Sequence, residues 1–287
     1  MRRTVIPSVA AIVLFASGCS SALSPGATVA QAPAATKGAR SARVAYSAIF
    51  DIAAAPGPGP ISMSGEGLFD YARKRGRMVF DMSEVLQPGG SPPEGSGEVE
   101  MIFAGPILYM KMPFLTGLLS DPKPWIKVDL EAARRGGANL SHLAQLGQSD
   151  PTQILELLRG ATRSVDEVGT EDLRGTETTH YSMVLDLVRA AEKASEEARL
   201  SVQDLIARTG ASTMPAEIWI DDDGRMRKMT YEVDLASAGA DSLPAEPDSM
   251  RVAMELYEFG IEVVVEPPPE DQVVDLLKLI EAQQEDS

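Results

Sequence analysis

One cysteine, two histidines and a run of three aspartates are the side chains of this 287-residue chain best suited to chemistry. The cysteine, Cys19, closes the segment Phe15-Ala16-Ser17-Gly18-Cys19 behind an apolar run from Val5 to Phe15, which follows Arg2 and Arg3. A positive start, a short apolar run and small residues before a thiol have the form of a lipoprotein export signal. The small side chains admit a peptidase to the backbone, and the thiol is the nucleophile that a diacylglyceryl transferase alkylates. Eleven residues of helix span about 16 Å, roughly half a bilayer core, so the run is too short to be a membrane span. Residues 1–18 are therefore read as a signal peptide and Cys19 as a lipid attachment site on the extracytoplasmic face of the cell membrane. The alternative is an ordinary secretory signal with an incidental cysteine.

The remaining candidates lack the spacing that catalysis or metal binding requires. His142 and His180 have no metal-ligand spacing to another histidine or to the cysteine. His180 is expected on the polar side of a strand, exposed or locally hydrogen-bonded. Asp221-Asp222-Asp223-Gly224 invites a calcium loop, but the required glycine position is Met226, so the segment reads as a hairpin turn. No Gly-x-Ser-x-Gly elbow, phosphate-binding glycine loop or HExxH occurs. The expectation is a protein that is not an enzyme and takes no metal or cofactor.

Charge narrows the partners. The chain carries 26 basic and 42 acidic residues, a net −16. Loss of residues 1–18 removes Arg2 and Arg3 and no acid, leaving 24 against 42, or −18. Such a surface repels nucleic acid. The densest basic run, Arg73-Lys74-Arg75-Gly76-Arg77, reads as a solvated turn between strands.

The elements that would hold a site follow from periodicity. Residues 19–42 are nearly all Ala, Ser, Pro, Gly, Thr and Gln, and they read as a lipidated cysteine plus a flexible tether reaching up to about 75 Å. From Arg43 the pattern has period two: Val44 to Ile52, Ile61 to Tyr71, Arg77 to Met82, Glu98 to Phe103, Leu108 to Met112 and Trp125 to Leu130 alternate apolar with polar. Leu140, Leu143 and Leu146, then Ile154, Leu155, Leu157 and Leu158, recur at helical spacing. Strand patterns return over 163–170 and 175–186, followed by a charged helical stretch over 187–208. Further strands are read at 216–220, 225–235, 250–259 and 261–265, and a final helix from Glu270 carries Val273, Val274, Leu276, Leu277 and Ile280. Thirteen methionines against seven phenylalanines is a high ratio, and methionine adapts to irregular apolar guests.

Three late segments carry a family likeness: Pro215-Ala216-Glu217-Ile218-Trp219-Ile220-Asp221, Gly224-Arg225-Met226-Arg227-Lys228 and Tyr257-Glu258-Phe259-Gly260. With the cysteine signal and the strand meander, they make residues 43–282 resemble the actinobacterial LppX/LprG-type lipoproteins, relatives of LolA. The resemblance implies an α+β fold in which a strongly curved antiparallel sheet, an incomplete β-barrel, carries helices on its concave face. It also implies an apolar cavity for lipid or lipoglycan acyl chains, carried across the cell envelope. Candidate cavity residues are Phe50, Met63, Phe69, Met78, Phe80, Met101, Phe103, Leu108, Met110, Leu143, Leu155 and Leu158. The expected partners are the lipid ligand, the membrane through N-terminal acyl chains, and an envelope transporter or sensor protein. A second reading keeps the fold with a reduced cavity, as a cell-surface interaction or sensory lipoprotein with an acidic partner surface. Residues 283–287 form an acidic tail in either case.

Overall fold

The structure, a computed structural model, describes residues 23–51, 59–86, 97–113, 123–135, 162–194, 196–235 and 248–285. Cys19, His142, Leu143, Leu155 and Leu158 lie outside the described residues, as do the central helices expected over 140–158. Twelve strands form one sheet: β1 Ser41–Asp51, β2 Ile61–Asp70, β3 Arg75–Asp81, β4 Glu98–Ala104, β5 Ile107–Lys111, β6 Trp125–Asp129, β7 Thr162–Leu173, β8 Thr176–Asp186, β9 Thr213–Asp221, β10 Met226–Asp234, β11 Ser249–Tyr257 and β12 Val273–Asp275. Their spatial order is β12-β6-β5-β4-β3-β2-β1-β11-β10-β9-β8-β7. Only β12 with β6 is parallel. β1 joins an N-terminal meander to a C-terminal one, and β12 and β7 remain as edges, so the barrel is incomplete.

Curvature is visible in one long-range contact. Arg174 sits in the turn between β7 and β8, yet its Nε donates to Glu255 of β11 at 2.9 Å, and its guanidinium lies 4.1 Å from the Tyr257 ring centre. Three strand spacings of a flat sheet are about 14 Å. The sheet must coil strongly for the turn to reach that far.

The segment read as a flexible tether is in large part a helix. α1 spans Pro25–Gly38, with Val29, Ala32, Pro33 and Thr36 buried, and it packs against β7, β9 and β10. Ser24 caps it in extended conformation, its side chain accepting from the Ala27 N–H, and Pro25 supplies a preset φ in the first turn. The buried positions fall at i, i+3, i+4 and i+7, a helical stripe made of small residues. Thr36 fixes the helix to the sheet: its Oγ1 accepts from the Met226 backbone N–H at 2.9 Å and donates to the Ala32 carbonyl at 2.7 Å. Residues 25–38 of the span read as a tether are thus folded against the sheet and do not add to its reach.

Other elements differ from expectation for reasons of edge availability. Residues 261–265 alternate like a strand but join no ladder. Gly260 and Ile261, where the segment departs, bond Ser41 at the start of β1, and β1 and β11 already have neighbours on both sides. Val273 and Val274, expected in the last helix, instead form β12 on the free edge of β6, with Lys127 Nζ 3.1 Å from Asp275 Oδ2. Helix α6 starts only at Leu276 and runs to Glu285. The stretch over 187–208 is two helices, α4 Leu187–Lys193 and α5 Glu196–Thr209. Short helices α2 Ser83–Leu86 and α3 Leu130–Arg135 complete the helical part among the described residues. The Arg73–Arg77 run forms the β2–β3 turn and the start of β3, with the Asp70 carboxylate accepting from the Ala72 and Arg73 backbone N–H groups.

Candidate apolar binding face

Strand register gathers the apolar side chains on one face in rows. Ala42, Phe69, Gly76, Phe103, Leu108 and Val128 lie side by side across six strands. The next row runs Leu256, Val44, Gly67, Met78, Met101, Met110 and Ile126. A third holds Tyr181, Ile218, Met229, Met254, Tyr46, Gly65 and Phe80. A fourth holds Met183, Ala216, Tyr231, Val252, Ala48 and Met63. None of these positions is charged.

The sequence-derived cavity residues fall on this face wherever they are described. Phe69, Met78, Phe80, Met101, Phe103, Leu108 and Met110 are buried, whereas Phe50 and Met63 are half-buried. Two edge-to-face ring pairs stiffen the centre: Phe69 with Phe103 at 5.7 Å and Tyr46 with Phe80 at 5.9 Å between ring centres. The expectation that Gly65 and Gly67 bend the sheet or open room needs refinement. A Cβ at Gly65 would collide with the Phe80 ring, and one at Gly67 would collide with the Arg77 carbonyl. These glycines admit a ring and a neighbouring strand, so Gly65 leaves no empty space.

Two hollows are bounded by described residues, and none of the sequence-derived cavity residues lines either. One, of about 610 Å³, lies on the opposite, polar face under Arg174, among Glu66, Asp81, Glu98 and Glu255. The other, of about 200 Å³, lies between α4–α5 and the ends of β9 and β10, with Leu187, Leu205, Met214 and Val233 in its wall. Its volume is below the range usual for a ligand pocket, roughly 300 Å³ and upward.

On the polar face, Asp221 organises the β9–β10 turn that meets α1. Its Oδ1 accepts from the backbone N–H groups of Asp223 and Arg225, and its Oδ2 from Arg225 Nε at 3.0 Å and Arg227 Nε at 2.6 Å. Both guanidinium groups lie over the Phe259 ring, at 5.0 and 4.8 Å. Burial alone would push the Asp221 carboxyl up. The Arg225 backbone N–H and the Arg227 and Arg225 side-chain donors outweigh it and hold the group below the usual carboxylate range. This is the hairpin expected from the Asp-Gly signal, with an arginine clamp in place of a cation. Among the described residues no cluster of His, Cys, Asp and Glu is arranged to hold a metal ion.

His180 departs from its expected exposure. It is buried at 7% exposure and stacked on Trp219, with ring centres 4.2 Å apart and planes 10° apart. Glu171 Oε1 is 3.1 Å from Nδ1 but out of line for a hydrogen bond, so neither ring nitrogen has a hydrogen-bond partner. Sequence placed it correctly on the polar face. What it missed is that the Trp219 ring on the neighbouring strand stacks on it.

No family model matches the chain. An uncharacterised 31.2 kDa protein of Streptomyces griseus, encoded in the rplA–rplJ intergenic region, is 26% identical over 204 residues. The match spans 69% of this chain and 62% of that protein. Among solved structures, lipoprotein LppX of Mycobacterium tuberculosis aligns over 84% of this chain and 97% of its own, at 16% identity and a TM-score of 0.48. LprF of Mycobacterium bovis aligns over 85% and 96%, at 14% identity and a TM-score of 0.44. The chain is similar to the LppX/LprG-type, LolA-like lipoproteins. Among the described residues, no helix is long and apolar enough to cross a membrane.

Two residues of the face carry a polar handle that sequence reasoning did not single out. Tyr46 and Tyr231 stand on the apolar side of β1 and β10, half-buried. Burial pushes the Tyr46 phenol up to about 12. Burial, and then the proximity of Tyr46, also raises the Tyr231 phenol. Tyr46 was legible as an inward position of β1, but a phenol's surroundings are tertiary information.

Proposed function

We propose that the protein is a membrane-anchored lipoprotein that binds lipid acyl chains on the methionine-rich face of its sheet and passes them onward within the cell envelope. The observation that carries this reading is the uncharged register row from β11 to β6, in which Met78, Met101 and Met110 stand side by side on β3, β4 and β5. Unbranched thioether side chains repack around guests of varied shape. Burying an acyl chain of about sixteen carbons is worth on the order of 10 kcal/mol before ordering costs, which is enough for binding without chemistry.

The anchor then acts at short range. Cys19 and Ser24 are separated by five residue steps, at most about 18 Å when extended. A domain held that close takes its lipid from the bilayer that anchors it and hands it to a partner that comes to it. A leash spanning the envelope is not required.

Titration of the purified chain with a pyrene-labelled fatty-acid ester tests the reading. The expected result is saturable one-to-one binding, weakened at least thirtyfold by Met101→Arg, because an unpaired guanidinium on this face opposes apolar burial. Equal binding by the variant would place the acyl chain elsewhere.

A further inference from the structure

We propose that the end of the sheet where β1 starts and β2 turns into β3 is a docking surface for the anionic headgroups of a bilayer, and that it sets how the domain stands on the membrane. The proposal goes beyond acyl-chain binding on the apolar face and holds whether or not a chain enters there. Ser41, Asp70 and Arg75 are register partners at this end, so Arg40 and the turn residues Arg73 and Lys74 stand next to one another. Backbone hydrogen bonds draw the pieces together: the Tyr71 N–H donates to the Arg40 carbonyl at 2.7 Å, and the Gly105 N–H of the β4–β5 turn donates to the Lys74 carbonyl at 3.1 Å. Three adjacent strand ends span about 10 Å.

The chain carries a net −16, yet this end is basic. Arg40, Arg73, Lys74 and Arg75 are exposed. The Asp70 carboxylate is taken by Arg73 and by the N–H groups of the turn, and Glu258 by Arg43 at 2.6 Å. Arg40, Lys74 and Arg75 form no ion pair among the described residues. The exposed Glu262, next to the Ile261 carbonyl that the Ser41 hydroxyl binds, offsets part of their charge. Arg40 and Lys74 also take left-handed backbone conformations, with φ of 69° and 50°. Glycine or asparagine suits such positions better, so turn geometry alone would not select a long cation at either. Strain of this kind is held where a surface has a use for the side chain.

Charge complementarity and reach decide the partner. Exposed charges more than about 8 Å apart are largely screened at physiological ionic strength, so an anionic surface meets these cations and not the carboxylates elsewhere on the chain. Cations spread over separate strand ends suit a layer of phosphates better than a single ion. An anchor at Cys19 puts such a layer within reach. The stretch from Cys19 to Ser24 extends to at most about 18 Å. α1, 14 residues and about 21 Å long, ends at Gly38, two residues before Arg40. The domain can therefore lie with the C-terminal end of α1 and the β2–β3 turn against the bilayer that anchors it.

Co-sedimentation of the full chain with phosphatidylglycerol vesicles and with phosphatidylcholine vesicles tests the proposal. The ratio of the two affinities is read, so that apolar insertion by residues 5–15 cancels and Arg2 and Arg3 contribute equally to every variant. One cation near an anionic surface is worth about fivefold in affinity, so R40G/K74G is expected to lower the ratio by roughly twenty-five-fold. Glycine relieves both left-handed positions, and the variant should melt no lower than the wild type. R40K/R75K keeps the charges and should keep the ratio within about twofold. R163Q/R251Q removes two cations from the other end of their strands and should leave the ratio unchanged. An unchanged ratio in R40G/K74G, or an equal loss in R163Q/R251Q, overturns the proposal. So does release from the vesicles by millimolar inorganic phosphate at constant ionic strength, which would mark a site for the free ion. R40G/K74G should bind the pyrene-labelled ester as the wild type does, so failure of acyl binding and failure of docking are read separately.

Discussion

A chain shortened to begin at Arg40, lacking α1 but retaining every strand, is expected to melt roughly 10–20 °C below the full chain or to aggregate on purification. Val29 and Ala32 alone lose burial worth about 3 kcal/mol, at roughly 0.8 kcal/mol per side-chain carbon. The Met226 N–H also loses its side-chain acceptor, Thr36 Oγ1, which adds about 1–3 kcal/mol for a buried orphan donor. About 4–6 kcal/mol is a large share of a domain's stability, and at about 2–4 °C per kcal/mol it gives the stated shift. Differential scanning calorimetry reads it. A melt within a few degrees of the full chain would mean that α1 rests on the sheet without supporting it.

Asp221→Ala is the second large effect, with a loss of about 3–5 kcal/mol, since it leaves two half-buried guanidinium groups without their shared carboxylate. Asp221→Asn keeps acceptor geometry for the backbone N–H groups and is expected to lose less. The variants also differ from wild type in their pH dependence. The folded state lowers the Asp221 pKa, so its contribution is fully present above the unfolded value of about 3.9 and is lost as pH falls through the lower folded value. Wild-type melting temperature should therefore drop more steeply with acid than that of Asp221→Asn in thermal melts taken from pH 6 down to about pH 2. Parallel acid limbs would show that the clamp contributes no charge-dependent stability.

Strands were the most legible part of the fold because the two faces of this sheet differ in polarity. Alternation alone puts Phe69, Phe80 and Phe103 on the face that the register gathers. Where alternation misled, the missing information was topological: residues 261–265 have a strand's pattern and no free edge. Val273 and Val274 have a helix's spacing and found one. α1 was hidden by composition. Its stripe of Val29, Ala32, Pro33 and Thr36 is at helical spacing, but small side chains and an internal proline resemble a linker. The likeness between the folded helix and a disordered tether lies in their residues, and only the sheet against which α1 packs distinguishes them. The site was legible to the same degree: the methionines and phenylalanines of the face could be read from period two, whereas the pairing of Tyr46 with Tyr231 depends on β11 lying between two strands far apart in sequence.

The proposed function joins a lipid-binding sheet, against whose strands β7, β9 and β10 an N-terminal helix packs, to a membrane anchor at Cys19. Native mass spectrometry of the chain released intact from membranes tests this most directly. The expected spectrum shows a polypeptide beginning at Cys19 with covalently attached acyl chains, and, on the same ion, a stoichiometric non-covalent lipid that is lost on collisional activation. A polypeptide carrying its covalent acyl chains but no second lipid, under conditions that preserve the fold, would contradict the account.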